Sequence, residues 1–168
     1  KVKKDVIWLA GGSFYDCERF IDLLGSNPDI SILQDAFENL LYSNRKIKFR
    51  INSFRETFND LFKENGFDYK IQLNLISQFL GLTQPGHHYI YKATEFRRAV
   101  DYFEYRPHLS DRSAGGKYDY YYKFAKEIFK TMERIGMKEV DFIDVQTFIY
   151  RDDWYTQQRE SEIREEYE

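Results

Sequence analysis

The stretch KYDYYYKFAKEIFKTMERIG, Lys117 to Gly136, decides the fold class. Tyr118, Tyr121, Tyr122, Ala125, Ile128, Phe129 and Met132 recur every three or four positions, the spacing that gathers side chains on one face of an α-helix. Gly136 supplies a stop. This is the longest helical face in the chain, and its apolar side is unusually rich in tyrosine.

The same period recurs on both sides of it. Ser13 is placed to cap a helix carrying Phe14, Cys17, Phe20, Ile21 and Leu24, with Gly25 at its end. After the turn Asn27-Pro28-Asp29, residues Ile30, Leu33, Phe37, Leu40 and Leu41 trace a second helix. The run Arg45 to Ile51 alternates basic and apolar residues and suits a short strand, a loop or the lead into the next helix. Ser53-Phe54-Arg55-Glu56 has the capping-box pattern, which would open a helix burying Phe54, Phe58, Leu61 and Phe62 and ending at Asn65-Gly66. Ile71, Leu75, Ile76, Phe79 and Leu80 predict a mostly buried helix stopped by Gly81. Thr83 to His88 is turn material, Tyr89-Ile90-Tyr91 a short extended piece, and Thr94 a cap for a helix carrying Phe96, Ala99, Val100 and Phe103. Pro107 to Gly116 reads as a loop, and a last core helix runs from about Asp141 to Tyr150. The expectation is an all-α, compact multi-helix domain of six to eight helices over residues 1–154, with room for one short extended segment or hairpin. Residues 155–168 read as an acidic polar tail or connector.

Composition sets the class. Of 168 residues, 42% are hydrophobic and 18% aromatic, enough for a packed core. No run reaches the roughly 18 apolar residues that a spanning helix needs, so no membrane partner is expected. Basic residues precede the apolar patch Val6 to Ala10, but that patch is shorter than the roughly 7–15 residues of a signal-peptide core. The chain starts at Lys1, as a piece of a longer protein would. Cys17 is the only cysteine, so no internal disulfide can form, and a cytoplasmic setting is expected. Its acidic neighbours Asp16 and Glu18 disfavour a thiolate. The net charge of −3 is uneven: residues 151–168 hold seven acidic and three basic residues, a net −4, which leaves residues 1–150 at +1. A strong phosphate-binding field over the whole body is therefore not implied.

Candidate chemistry is sparse. His87 and His88 are adjacent and point different ways, and with His108 they lack zinc-site spacing, so no metal is expected. Gly11-Gly12-Ser13 lacks the lysine and spacing of a phosphate loop. Asp141 and Asp144 lie three apart at a helix start, where capping accounts for them without catalysis. Glu95 and Glu104 complete the carboxylates worth weighing. Neither a catalytic residue nor a cofactor is expected; a small metal-dependent nuclease or toxin using Asp141 or His108 stands as a distant alternative. The basic residues form two groups, Arg45, Lys46, Lys48, Arg50 and Arg55, then Arg97, Arg98, Arg106, Arg112 and Lys117. The second group surrounds the 107–116 loop. Its five cations would contact nucleic-acid phosphates, with Tyr118 or His108 near the bases. On the residues alone, a solvated helix surface with amphipathic tyrosines covering the core is the simpler account.

Three segments carry a family likeness. They are Tyr89-Ile90-Tyr91-Lys92-Ala93-Thr94-Glu95-Phe96, the helix from Tyr118 to Ile135, and the block Asp141 to Tyr150 with its Asp144-Val145-Gln146 core. Over Ser53 to Trp154 the chain resembles the helical region that precedes the motor in McrB-type AAA+ restriction NTPases and related bacterial antiphage proteins. In those, a helix ends in a Pro-x-x-Tyr-x-Ile-Tyr turn and an Asp-x-x-Asp-Val-Gln-x-Phe-Ile-Trp block closes the unit. Here one more residue separates Pro85 from the Tyr-Ile-Tyr triplet, and Tyr150 stands where Trp would be. Walker and PD-(D/E)XK patterns are absent from the sequence. The resemblance implies a non-catalytic accessory or target-recognition domain that acts on DNA, either binding nucleic acid or coupling recognition to a partner AAA+ NTPase or another defence-system subunit. The alternative is a protein-binding or oligomerisation module.

Overall fold

A computed structural model describes residues 14–109 and 111–150, and among them lie seven α-helices and no β-strand. In chain order they are α1 Phe14–Gly25, α2 Ile30–Tyr42, α3 Ile47–Glu64, α4 Leu73–Thr83, α5 Ala93–Tyr102, α6 Ala114–Arg134 and α7, residues 142–150. The all-α expectation holds. The proposed cap Ser13, the Gly11-Gly12 pair, Trp154 and the 155–168 tail lie outside the described residues.

Helix α3 is the spine, with α2 and α6 as its main neighbours. Its buried residues Ile51, Phe54, Phe58, Leu61 and Phe62 keep the three-to-four spacing that commits one face to the interior. Phe54 and Phe58 stack at 4.3 Å, and Phe37 of α2 meets both edge-on. Phe20 of α1 and Phe79 of α4 complete the cluster, so rings from four helices share one interior. Ring pairs of this kind add about 0.5–1.5 kcal/mol beyond the area they bury.

The spine starts earlier than the capping-box pattern suggests. The ambiguous Arg45–Ile51 run is resolved as helix from Ile47, which leaves Ser53 in mid-helix. Arg50, grouped in the sequence with surface cations, is buried here. Its guanidinium donates to the carbonyls of Leu40 and Leu41 at the end of α2, and the Gln84 amide also donates to Leu41 at 3.0 Å. The orphan carbonyls at the end of α2 are thereby satisfied by side chains from elsewhere in the chain.

Gly81 does not stop α4, which continues to Thr83. Its role is close approach. A Cβ there would lie 2.6 Å from Ile90 Cγ1 and 3.3 Å from the Ile90 nitrogen. One turn earlier, the Ser77 hydroxyl accepts from the Tyr91 N–H at 2.8 Å. These two small residues let the extended 88–92 segment lie against α4. Tyr89 then stacks on Tyr118 of α6 at 4.6 Å, and each hydroxyl donates to the other residue's backbone carbonyl, at 3.1 and 3.2 Å. Both rings are fully buried.

The other predicted ends also resolve. Helix α5 starts at Ala93 with Lys92, not Thr94, at its N-cap. Asp141 accepts from the N–H groups of Ile143 and Asp144, while Asp144 accepts from the Asp141 N–H, so the capping expected of this pair is present and is reciprocal. The loop before α6 is shorter than expected, because Ser113 caps the helix and Ala114, Gly115 and Gly116 form its first turn. Gly115 is pressed against α3: a Cβ there would meet the Lys48 carbonyl oxygen at 2.0 Å. Asn52 of α3 fastens the junction, donating to the Ser113 hydroxyl at 3.0 Å and accepting from the Gly115 N–H at 2.8 Å. Among the described residues no helix is long and apolar enough to cross a membrane.

Candidate anion-binding groove

The 88–92 segment and the α3–α6 junction bring three helix starts to one place. A groove of about 360 Å³ is lined by Gln72, Leu73 and Asn74 at the start of α4, Ala93 at the start of α5, and Ala114 and Lys117 in the first turns of α6. Arg55 of α3, Arg112, Tyr91 and Asp16 of α1 complete the wall. Each helix start carries the positive end of its backbone dipole and unpaired N–H groups, which favour an anion. In α6 the Gly115 and Gly116 N–H groups are already taken by Asn52 and Ser113. The starts of α4 and α5 have no side-chain cap.

Three cations add full charges to these partial ones. Arg55 is half-buried, with Nε donating to the Ile71 carbonyl at 3.3 Å, so its head is held at the wall. Arg112 and Lys117 are exposed and have no ion-pair partner among the described residues. Asp16 is the opposing charge. It is buried and accepts from the Tyr69 hydroxyl; burial raises its carboxyl above the usual range, and the Tyr69 hydrogen bond partly offsets this. Three cations against one carboxylate leave the groove at +2. Burial, with Tyr121 adding to it and Arg97 opposing, pushes the Tyr91 phenol up to about 12, so it remains a neutral hydrogen-bonding wall.

The seven residues proposed from the sequence separate here. Arg112 and Lys117 enter the groove together. Arg97 is exposed on α5 and does not line the groove, although its charge bears on the Tyr91 and Tyr121 phenols. Arg98 is exposed on the same helix. Arg106 is taken up in an exposed ion pair with Asp101 at 2.9 Å. His108 lines a separate, smaller cavity of about 190 Å³ with Lys48, Asp111, Asp119, Tyr120 and Lys123. Tyr118 is a correction. It is fully buried, its ring stacks on Tyr89 and its hydroxyl is committed, so it has no face to offer a base.

What sequence reasoning missed is equally specific. Sequence order groups Arg55 with Arg45, Lys46, Lys48 and Arg50, whereas the fold carries it to Arg112 and Lys117 of the second group. Gln72 and Asn74 bear no charge or motif that would single them out. Tyr91, in the short extended piece, is mostly buried yet lines the groove. Among the described residues no three His, Cys, Asp or Glu side chains are placed to hold a metal, although His108 shares its cavity with Asp111 and Asp119.

Neither a family model, nor a curated protein, nor a solved structure matches this chain.

Proposed function

We propose that this chain is a non-catalytic accessory module of a bacterial DNA-restriction or antiphage system, which recognises nucleic acid through the groove and passes that recognition to a partner AAA+ NTPase. The resemblance over Ser53–Trp154 supplies the setting. The observation that carries the reading is the groove itself, where Arg55 of α3 joins Arg112 and Lys117 at the start of α6, beside the starts of α4 and α5. Such a site attracts phosphate by full charge and by dipole together. The near-neutral body implies no strong field over the whole surface, which suits a module that selects a feature of its target rather than coating a duplex.

The test is a salt titration of DNA binding by fluorescence anisotropy, comparing the wild type with Arg112→Glu/Lys117→Glu. Both side chains are exposed, so the fold should survive, as circular dichroism will verify. The expected result is a loss of at least about tenfold in affinity and a salt slope shallower by about 2. Identical affinity and slope in the two proteins would remove the groove from the reading.

A further inference from the structure

We infer that the groove takes a single nucleotide unit bearing a terminal phosphate monoester, supplied either by a free nucleotide or by the phosphorylated end of a single strand. This rests on the groove being the nucleic-acid site proposed above. Size comes first. A recess of about 360 Å³ falls at the lower end of small-ligand cavities, roughly 300–1,000 Å³, and a duplex cannot enter it.

Charge narrows the ligand further. Arg55, Arg112 and Lys117 against Asp16 leave +2. A phosphate monoester carries close to two negative charges at neutral pH, its second pKa lying near about 6, whereas a phosphodiester inside a strand carries one. The uncapped starts of α4 and α5 offer N–H donors to the additional oxygens of a monoester. One wall is unlike the rest. Asp16 would repel a second phosphate, but a carboxylate accepts hydrogen bonds, and an amino edge of a base or a sugar hydroxyl can donate them. Gln72 and Asn74 on the same lining add donors and acceptors, one Gln72 amide N–H being already given to the Lys70 carbonyl at 2.6 Å. An anionic head with a hydrogen-bonding body is the chemistry of a nucleotide rather than of a bare anion.

The experiment uses the full chain and three single strands of one sequence, about 12 nucleotides long, with a 5′-phosphate, a 3′-phosphate or hydroxyls at both ends. A phosphorylated strand is expected to bind at least about tenfold tighter than the hydroxyl-ended one, and Arg112→Glu/Lys117→Glu should erase the difference. Deoxyadenosine monophosphate and inorganic phosphate serve as competitors. Displacement of the phosphorylated strand by the nucleotide, at concentrations where inorganic phosphate does nothing, assigns a free nucleotide. A strand that resists displacement by the nucleotide assigns the strand end. Equal affinity for all three strands, together with weaker binding in the double variant, would overturn this inference while leaving the groove as a general nucleic-acid site. Equal affinity in wild type and variant would overturn both.

Discussion

His88 sits at the meeting point of the tyrosine stack and the α2–α3 corner. It is buried, its Nδ1 lies 3.4 Å from the Tyr118 hydroxyl, and its ring packs near Tyr118 and Tyr122. Burial, with Arg50 and His87 adding positive charge nearby, lowers its pKa from 6.5 to about 4. The folded chain therefore resists protonating this ring while the unfolded chain does not. The sign follows: the folded state is fully favoured above pH 6.5, and stability falls as the pH drops from there towards 4, below which both states carry the proton. Between pH 7 and pH 5 the expected loss from this residue is about 2 kcal/mol. Urea midpoints across that range should show it, and His88→Gln should flatten the curve. An unchanged slope in the variant would mean that the ring is solvated in the folded state.

At the scale of the element, three helices end alike and one of them under strain. After α3 the Phe67 N–H bonds to Phe62 O and the Gly66 N–H to Lys63 O, with Gly66 at φ 79°. After α6 Met137 and Gly136 repeat the pattern onto Met132 and Glu133, with Gly136 at φ 92°. These are Schellman ends, in which glycine accepts the left-handed conformation without a Cβ penalty. Helix α5 closes in the same way, Tyr105 onto Val100 and Glu104 onto Asp101, but its left-handed residue is Glu104 at φ 51°. A non-glycine residue there is strained, and a carboxylate beside helix-terminal carbonyls is electrostatically misplaced. Glu104→Gly should therefore stabilise the protein by about 0.5–1 kcal/mol, net of the greater freedom that glycine gives the unfolded chain. A chemical denaturation midpoint that falls would contradict that account.

For the whole molecule, the junction of α3 with α6 governs both stability and the groove. Arg55 belongs to α3, while Arg112 and Lys117 flank the start of α6, so their convergence depends on how closely the two helices meet. Gly115 sets that closeness, because a methyl group there would sit 2.0 Å from a backbone oxygen, which cannot swing aside as a side chain can. Gly115→Ala should force the helices apart at this end, costing about 1–3 kcal/mol. It should also weaken DNA binding although no charge is removed. Gly25→Ala is the control, since nothing lies within 4 Å of a Cβ there. Loss of stability with unchanged DNA affinity would show that the groove does not depend on this junction.

Apolar periodicity alone determined that the chain is helical, and roughly where, because burying one face of a helix requires side chains three and four positions apart. The same reasoning found the Asp141–Asp144 cap and the glycine ends at Gly66 and Gly136, which are local in the chain and therefore written in adjacent residues. It erred at Ser53, Gly81 and Tyr118. A cap pattern inside a longer apolar repeat is overruled by packing, a glycine can serve close approach instead of a turn, and a tyrosine can be held wholly inside when another residue's carbonyl receives its hydroxyl. The meeting of Arg55 with Arg112 and Lys117, and of three helix starts around them, was decided only by tertiary structure. Arg55 lies more than fifty positions before the other two, and no local rule relates the charge on one helix to the end of another until the core has packed them together.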